Sequence, residues 1–134
     1  MKNTIAAFIF ALTAFLPQTA ASAPASHTVL TAKDAAKPVK ASVRQTFTVR
    51  LAANPSTGYL WQIAPETARN ESVSVYEESF EHAKSRFAGA GGTAVFTVQI
   101  KKAGQTRVVL RYFRPWEHFD AAHDRSIAFV FDVK

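Results

Sequence analysis

Apolar side chains recur at every second position through most of this chain, and no stretch after the first few dozen residues sustains a period of 3.6. Residues 45–51 read QTFTVRL, where Phe47, Val49 and Leu51 alternate with Thr46, Thr48 and Arg50. The pattern returns as Tyr59, Trp61 and Ile63, and as Ala94, Phe96, Val98 and Ile100. It returns again as Val108, Leu110 and Tyr112, and as Ile127, Phe129, Phe131 and Val133. Successive side chains of an extended strand point to opposite faces, so this alternation marks strands with one buried face.

Five strands are therefore predicted at 45–51, 59–63, 93–101, 106–113 and 126–133. Two more are expected at 27–32 and 72–80, the latter with Val73, Val75 and Tyr76 in a less definite register. Residues 33–42 read as a loop or a short edge segment, 65–71 as a polar turn, 81–92 as a loop and 114–125 as a long loop. Ala103-Gly104 marks a tight turn. About seven short strands separated by Gly and Pro predict an all-β fold, an antiparallel β-sandwich of immunoglobulin-like type.

The first residues stand apart. Lys2 is followed by an apolar run from Ile5 to Leu16 and then by small residues from Thr19 to Ser26. This is the pattern of a secretory signal, too short to span a bilayer comfortably. Ala21-Ser22-Ala23 has the small-x-small form, but Pro24 is a poor residue to follow a cut, so cleavage is expected between Ala21 and Ala25. The chain divides into a signal peptide at 1–23 and one domain at 24–134. Export to the periplasm or the medium is expected, with no stable membrane association after cleavage.

There is no cysteine. This excludes a disulfide, a thiol nucleophile, a thiolate metal site and lipid attachment at cysteine. With 48% hydrophobic residues the core must suffice, and at this length it can. The net charge of +6 is spread along the chain, with Lys101-Lys102 the only adjacent basic pair. Nucleic-acid binding is not expected. A positive surface aids solubility or steers association with an acidic partner.

Three loops hold residues that the core does not need. In the first, Asn54-Pro55-Ser56-Thr57-Gly58-Tyr59, Pro55 fixes its own φ and Gly58 supports a positive one. The result is a stiff tip displaying the Ser56 and Thr57 hydroxyls as donors and acceptors, or else an ordinary hairpin turn. The second, Gly89-Ala90-Gly91-Gly92, strips side chains from the backbone so that a partner can approach it closely, unless it is simply flexible. The third, Arg114-Pro115-Trp116, puts on a loop two residue types enriched at binding hot spots. Its alternative is a Trp folded back as a lid.

Together and in this order, the three loops resemble the chagasin family of cysteine-protease inhibitors, with its N-P-T-T-G-[YF], G-x-G-G and R-P-W loops. The resemblance spans roughly residues 28–134. Ser56 departs from the usual Thr, keeping the hydroxyl but losing β-branch stiffness. The resemblance implies reversible, non-covalent occlusion of a papain-like active-site cleft in a one-to-one complex, by a monomer that is not an enzyme and has no cofactor. It implies that residues 54–59 sit over the protease's catalytic pair. Residues 89–92 would run along the unprimed side of the cleft, and residues 114–116 would pack on the primed side.

Other constellations are weaker. His118, Asp120, His123 and Asp124 lack helical zinc spacing and a second cluster, so no metal site is expected. Ser126, His123 and Asp124 could be forced into a triad, but no nucleophile elbow is present. Glu77, Glu78 and Glu81 read as the solvated side of a strand and its loop. Asn70-Glu71-Ser72 matches a glycosylation acceptor. Trp61 is expected in the core. The other functional reading is a periplasmic or secreted immunoglobulin-like module that binds a glycan or protein with the same loop end.

Overall fold

A computed structural model of the chain describes residues 28–84 and 91–134. The expected signal segment lies outside the described residues. The described residues form eight strands: β1 (Thr28–Leu30), β2 (Val39–Ala41), β3 (Thr46–Ala53), β4 (Leu60–Ile63), β5 (Val73–His82), β6 (Gly92–Ile100), β7 (Gly104–Phe113) and β8 (Arg125–Val133). They make two four-stranded sheets, ordered β1-β3-β6-β5 and β2-β8-β7-β4.

The alternating residues fill the space between the sheets. Phe47, Val49 and Leu51 of β3 are buried with Phe96 and Val98 of β6, Val108 and Leu110 of β7, and Phe129 and Phe131 of β8. The rings of Phe47 and Phe131, one from each sheet, lie 5.0 Å apart. Burying residues of this size contributes about 1.5–3 kcal/mol each, which lets the core stand without a covalent brace.

Three expectations need correction. The sheets are mixed rather than wholly antiparallel, because β1 runs parallel to β3 and β2 parallel to β8. The strand count is eight, because Val39–Ala41, within the segment read as loop or edge, pairs with residues 131–133. The first strands thus line an edge of one sheet, turn through a 3-10 segment at Ala32–Ala36, and cross to the other. Finally, β5 continues through Glu81 and His82, which were expected in a loop, and Gly92 already pairs with Ala53 and His82. Backbone pairing alone extends these strands where no apolar side chain signals it.

Two local features depart from simple alternation. Val95 and Thr97 of β6 are buried although they face away from the core. Val95 is paired between Arg50 and Ser79, and Thr97 donates its hydroxyl to Glu78 at 2.9 Å, so side chains of the flanking strands cover them. The polar stretch after Pro65 holds a one-turn helix, Pro65–Ala68. There Thr67 is buried and accepts the Val109 amide N–H at 2.8 Å.

Candidate functional site

The connections β3–β4, β5–β6 and β7–β8 all leave the same end of the molecule. Ala53, Gly92 and His82 stand in register at the end of one sheet, and Leu60 and Phe113 at the end of the other. Tyr112 joins the two ends. Its hydroxyl oxygen accepts the Asn54 amide N–H at 3.0 Å, and its ring lies 5.4 Å from Tyr59 and 4.9 Å from Trp61. Arg125 sits over the same ring, 5.7 Å from its centroid.

The first loop is a single 3-10 turn, Pro55–Thr57, with Asn54 as its N-cap and Gly58 in the left-handed region at φ 82°. Asn54 organises it. Its Oδ1 accepts the Ser56 amide at 3.3 Å and the Ser56 hydroxyl at 2.6 Å. Its carbonyl accepts the Thr57 amide at 3.2 Å and the Thr57 hydroxyl at 2.7 Å. Capping of this kind holds short turns that have no other brace. Both hydroxyl hydrogens are therefore spent inside the loop, which corrects the expectation that the tip offers them as donors. Each oxygen keeps lone pairs to accept with.

The third loop closes against the first. Arg114 Nε donates to the Thr57 carbonyl at 3.2 Å, and its guanidinium lies over the Tyr59 ring at 4.9 Å. The Glu117 amide donates to the Arg114 carbonyl at 3.0 Å, forming a turn around Pro115 and Trp116. Trp116 is 72% exposed, so it is neither a lid nor a core residue. Its indole lies against Gly58, where a β-carbon would come within 2.6 Å of Cη2. The far half of this loop is pinned by Phe119, 5.5 Å from Phe113 and 4.6 Å from the guanidinium of Arg111.

Of the second loop, Gly89 and Ala90 fall outside the described residues. Gly91 and Gly92 sit where its returning arm meets the first loop. A β-carbon on Gly91 would stand 2.8 Å from the Ala53 carbonyl and 3.7 Å from Asn54 Cβ. On Gly92 it would meet the Phe80 ring at 2.6 Å. The Ala83 amide donates to the Gly91 carbonyl at 3.0 Å, closing the neck. Glycine is used at both positions because backbone packs on backbone there.

The structure thus brings Asn54, Thr57, Gly58, Tyr59, Gly91, Gly92, Arg114 and Trp116 to one edge. The pattern reading took Tyr112 only as one of the alternating strand residues, and nothing in the sequence marked it as the post to which the first loop is tied. The residues set aside earlier are spent elsewhere. Asp120 accepts from His123 Nδ1 at 2.7 Å and from the Ala122 amide at 2.9 Å. Glu81 pairs with Arg50. Asn70 donates to Thr106 Oγ1 at 2.8 Å and accepts the Ser72 amide at 2.9 Å. Trp61 is half-buried, packs against the core and donates Nε1–H to the Ala52 carbonyl at 3.0 Å.

The site is a cluster of loops at one end of a small two-sheet domain, tied to one another by Tyr112, Arg114 and Trp116, and it holds no arrangement of catalytic groups among the described residues. The sequence model described as the chagasin family of peptidase inhibitors, I42, matches residues 40–132, and the chain belongs to that family. It is thus a peptidase inhibitor and not an enzyme, as the family's description has it. It is 37% identical to chagasin of Trypanosoma cruzi over 93 residues, which span 68% of this chain and 84% of that one. Its fold is similar to the solution structure of amebosin, with a TM-score of 0.64, 24% identity, and coverage of 81% of this chain and 98% of that chain. It is also similar to PbICP-C, solved in complex with falcipain-2, with a TM-score of 0.54, 18% identity, and coverage of 81% and 89%.

Proposed function

We propose that the protein is an exported monomer of immunoglobulin-like architecture that blocks the cleft of papain-like cysteine proteases in a one-to-one, non-covalent complex. The contact would be made by residues 54–59, 89–92 and 114–116. One observation carries the reading of the site: Trp116 and Arg114 close on Gly58 and Thr57, so that two loops from different parts of the sequence form a single wedge. A wedge already braced loses little freedom on docking, which favours tight binding. An inhibitor interface of standard size covers about 800 Å² per partner, within reach of three adjacent loops. The family supplies the class of partner, and PbICP-C with falcipain-2 is an instance of it.

The test is titration of the domain beginning at residue 24 against papain. Activity is expected to fall linearly to zero at one equivalent. Full papain activity in the presence of micromolar inhibitor would overturn the reading. Mass analysis of the protein recovered from culture medium and periplasm tests export, with an N-terminus between residues 22 and 26 expected.

A further inference from the structure

The Thr57–Gly58 peptide bond is held at both ends by its own chain. Its carbonyl oxygen accepts Arg114 Nε at 3.2 Å, and its amide N–H donates to the Pro55 carbonyl at 2.9 Å. The carbonyl of Asn54, at the start of the same turn, is also occupied, by the Thr57 amide and hydroxyl. We propose that Arg114 is a positioning residue that keeps the first loop from being cut, so that the protein stays an inhibitor instead of becoming a substrate. This rests on the reading that the loop enters a papain-like cleft.

A thiol protease cleaves a peptide in defined steps. The thiolate adds to the carbonyl carbon while the carbonyl oxygen enters the oxyanion hole. The C–N bond then breaks, and the amine leaves with the imidazolium proton. Water finally hydrolyses the thioester to a carboxylic acid and returns the thiol. Addition needs an oxygen free to reach the oxyanion donors, and loss of the amine needs a nitrogen able to turn its lone pair toward the imidazolium. At Thr57–Gly58 the oxygen belongs to a guanidinium, and the N–H, bonded to the Pro55 carbonyl, holds the nitrogen in the turn. The backbone is a 3-10 turn followed by a left-handed glycine, not an extended strand.

Arg114 cannot easily swing away. Its guanidinium lies over Tyr59, and its Nη1 stands 3.6 Å from Glu117 Oε1. Trp116 closes over Gly58 from the same loop. The third loop thus acts on the first, and the RPW sequence is there partly to hold the tip shut.

The experiment incubates papain with excess wild type, Arg114→Ala or Arg114→Lys, following papain activity and the intact mass under denaturing conditions. The lysine variant keeps the charge but lacks Nε, and the position is on a loop outside the core, which protects the test against misfolding. Wild type should inhibit at once and stay intact overnight. Both Arg114 variants should inhibit at once when saturating, then release activity as the chain splits between Thr57 and Gly58. Loss of one hydrogen bond to a charged donor predicts cleavage about 10- to 100-fold faster than wild type. Saturating Arg114 variants that remain uncut would overturn the proposal and leave Arg114 as an ordinary contact. Wild type that never inhibits would instead defeat the functional reading itself.

Discussion

The indole of Trp116 rests on Gly58, with Cη2 and Cζ2 only 2.6 and 3.2 Å from where a β-carbon on residue 58 would stand. The glycine at the end of the first loop is therefore required twice, once by its φ of 82° and once by a ring from the third loop.

Gly58→Ala tests that double requirement. Forcing an L side chain into the left-handed region costs about 1–2 kcal/mol, and the added methyl must also displace the indole. The expected outcome is a loss of about 1–2 kcal/mol in urea unfolding, with inhibition weakened by at least about tenfold. A variant with unchanged inhibition would mean that the ring's seat on residue 58 does not matter to the wedge.

The two tryptophans are expected to behave in opposite ways. Trp116 is largely in solvent, so Trp116→Ala should change stability by less than about 0.5 kcal/mol while costing about 2–4 kcal/mol of binding. Trp61 packs on the core and holds the Ala52 carbonyl, so Trp61→Ala should cost about 3 kcal/mol of stability. Paired melting curves and inhibition constants separate the two. Equal destabilisation by both variants would contradict the exposure of Trp116.

What was legible in the sequence follows from which interactions carry a local signal. Strands β3, β6, β7 and β8 were visible because half their residues are apolar and alternate. The end of β5 was not, since Glu81 and His82 are held by backbone pairing to β6 and carry no apolar side chain. Strands β1 and β2 have three residues each, too few to show direction, and their parallel pairing leaves no periodic trace in the sequence. The loops were legible as motifs, because Pro, Gly and Trp at turns are unusual in combination. What ties them together was not. Asn54 and Tyr112 are 58 positions apart and Thr57 and Arg114 are 57 apart, and no periodicity reports such a pairing. The hydroxyls of Ser56 and Thr57 looked available for a different reason: their partner is only two or three residues away, but the bonds form only once the backbone turns, and then Asn54 claims both.

Tyr112→Phe isolates the post beneath the first loop. The ring, packed between Tyr59 and Trp61, is retained, and only the acceptor for the half-buried Asn54 amide is removed. An unpaired N–H there should cost about 1 kcal/mol, and the Asn54 amide should exchange with solvent about tenfold faster or more. Hydrogen exchange read by NMR checks this directly. Unchanged protection at Asn54 would show that the loop does not depend on Tyr112. Inhibition should weaken with the protection, because a looser tip loses freedom on docking that the wild type has already given up.

The far half of the third loop carries the one pH-dependent pair among the described side chains that titrates near neutrality. His123 Nδ1 and Asp120 Oδ2 lie 2.7 Å apart. The hydrogen bond that His123 donates to Asp120, then the charge of Asp120 and that of Asp124, raise the His123 pKa above its ordinary 6.5. The hydrogen bond from His123, then that from the Ala122 amide, lower the Asp120 pKa below 3.8. A raised histidine contributes stability that is fully present below the unfolded value and lost as pH rises through the folded one. A lowered carboxylate contributes stability present above its unfolded value and lost as pH falls through the folded one. The two conditions overlap from about pH 4 to about 6.5, and the pair should hold the loop best in that window. Both groups are open to solvent, so the change in unfolding free energy should be small and the site itself is the better reporter. An NMR titration of the His123 ring is expected to give a midpoint above 6.5 that falls toward the ordinary value in Asp120→Asn, where only the charge of Asp124 still raises it. A wild-type midpoint at or below 6.5 would mean that this contact does not persist in solution.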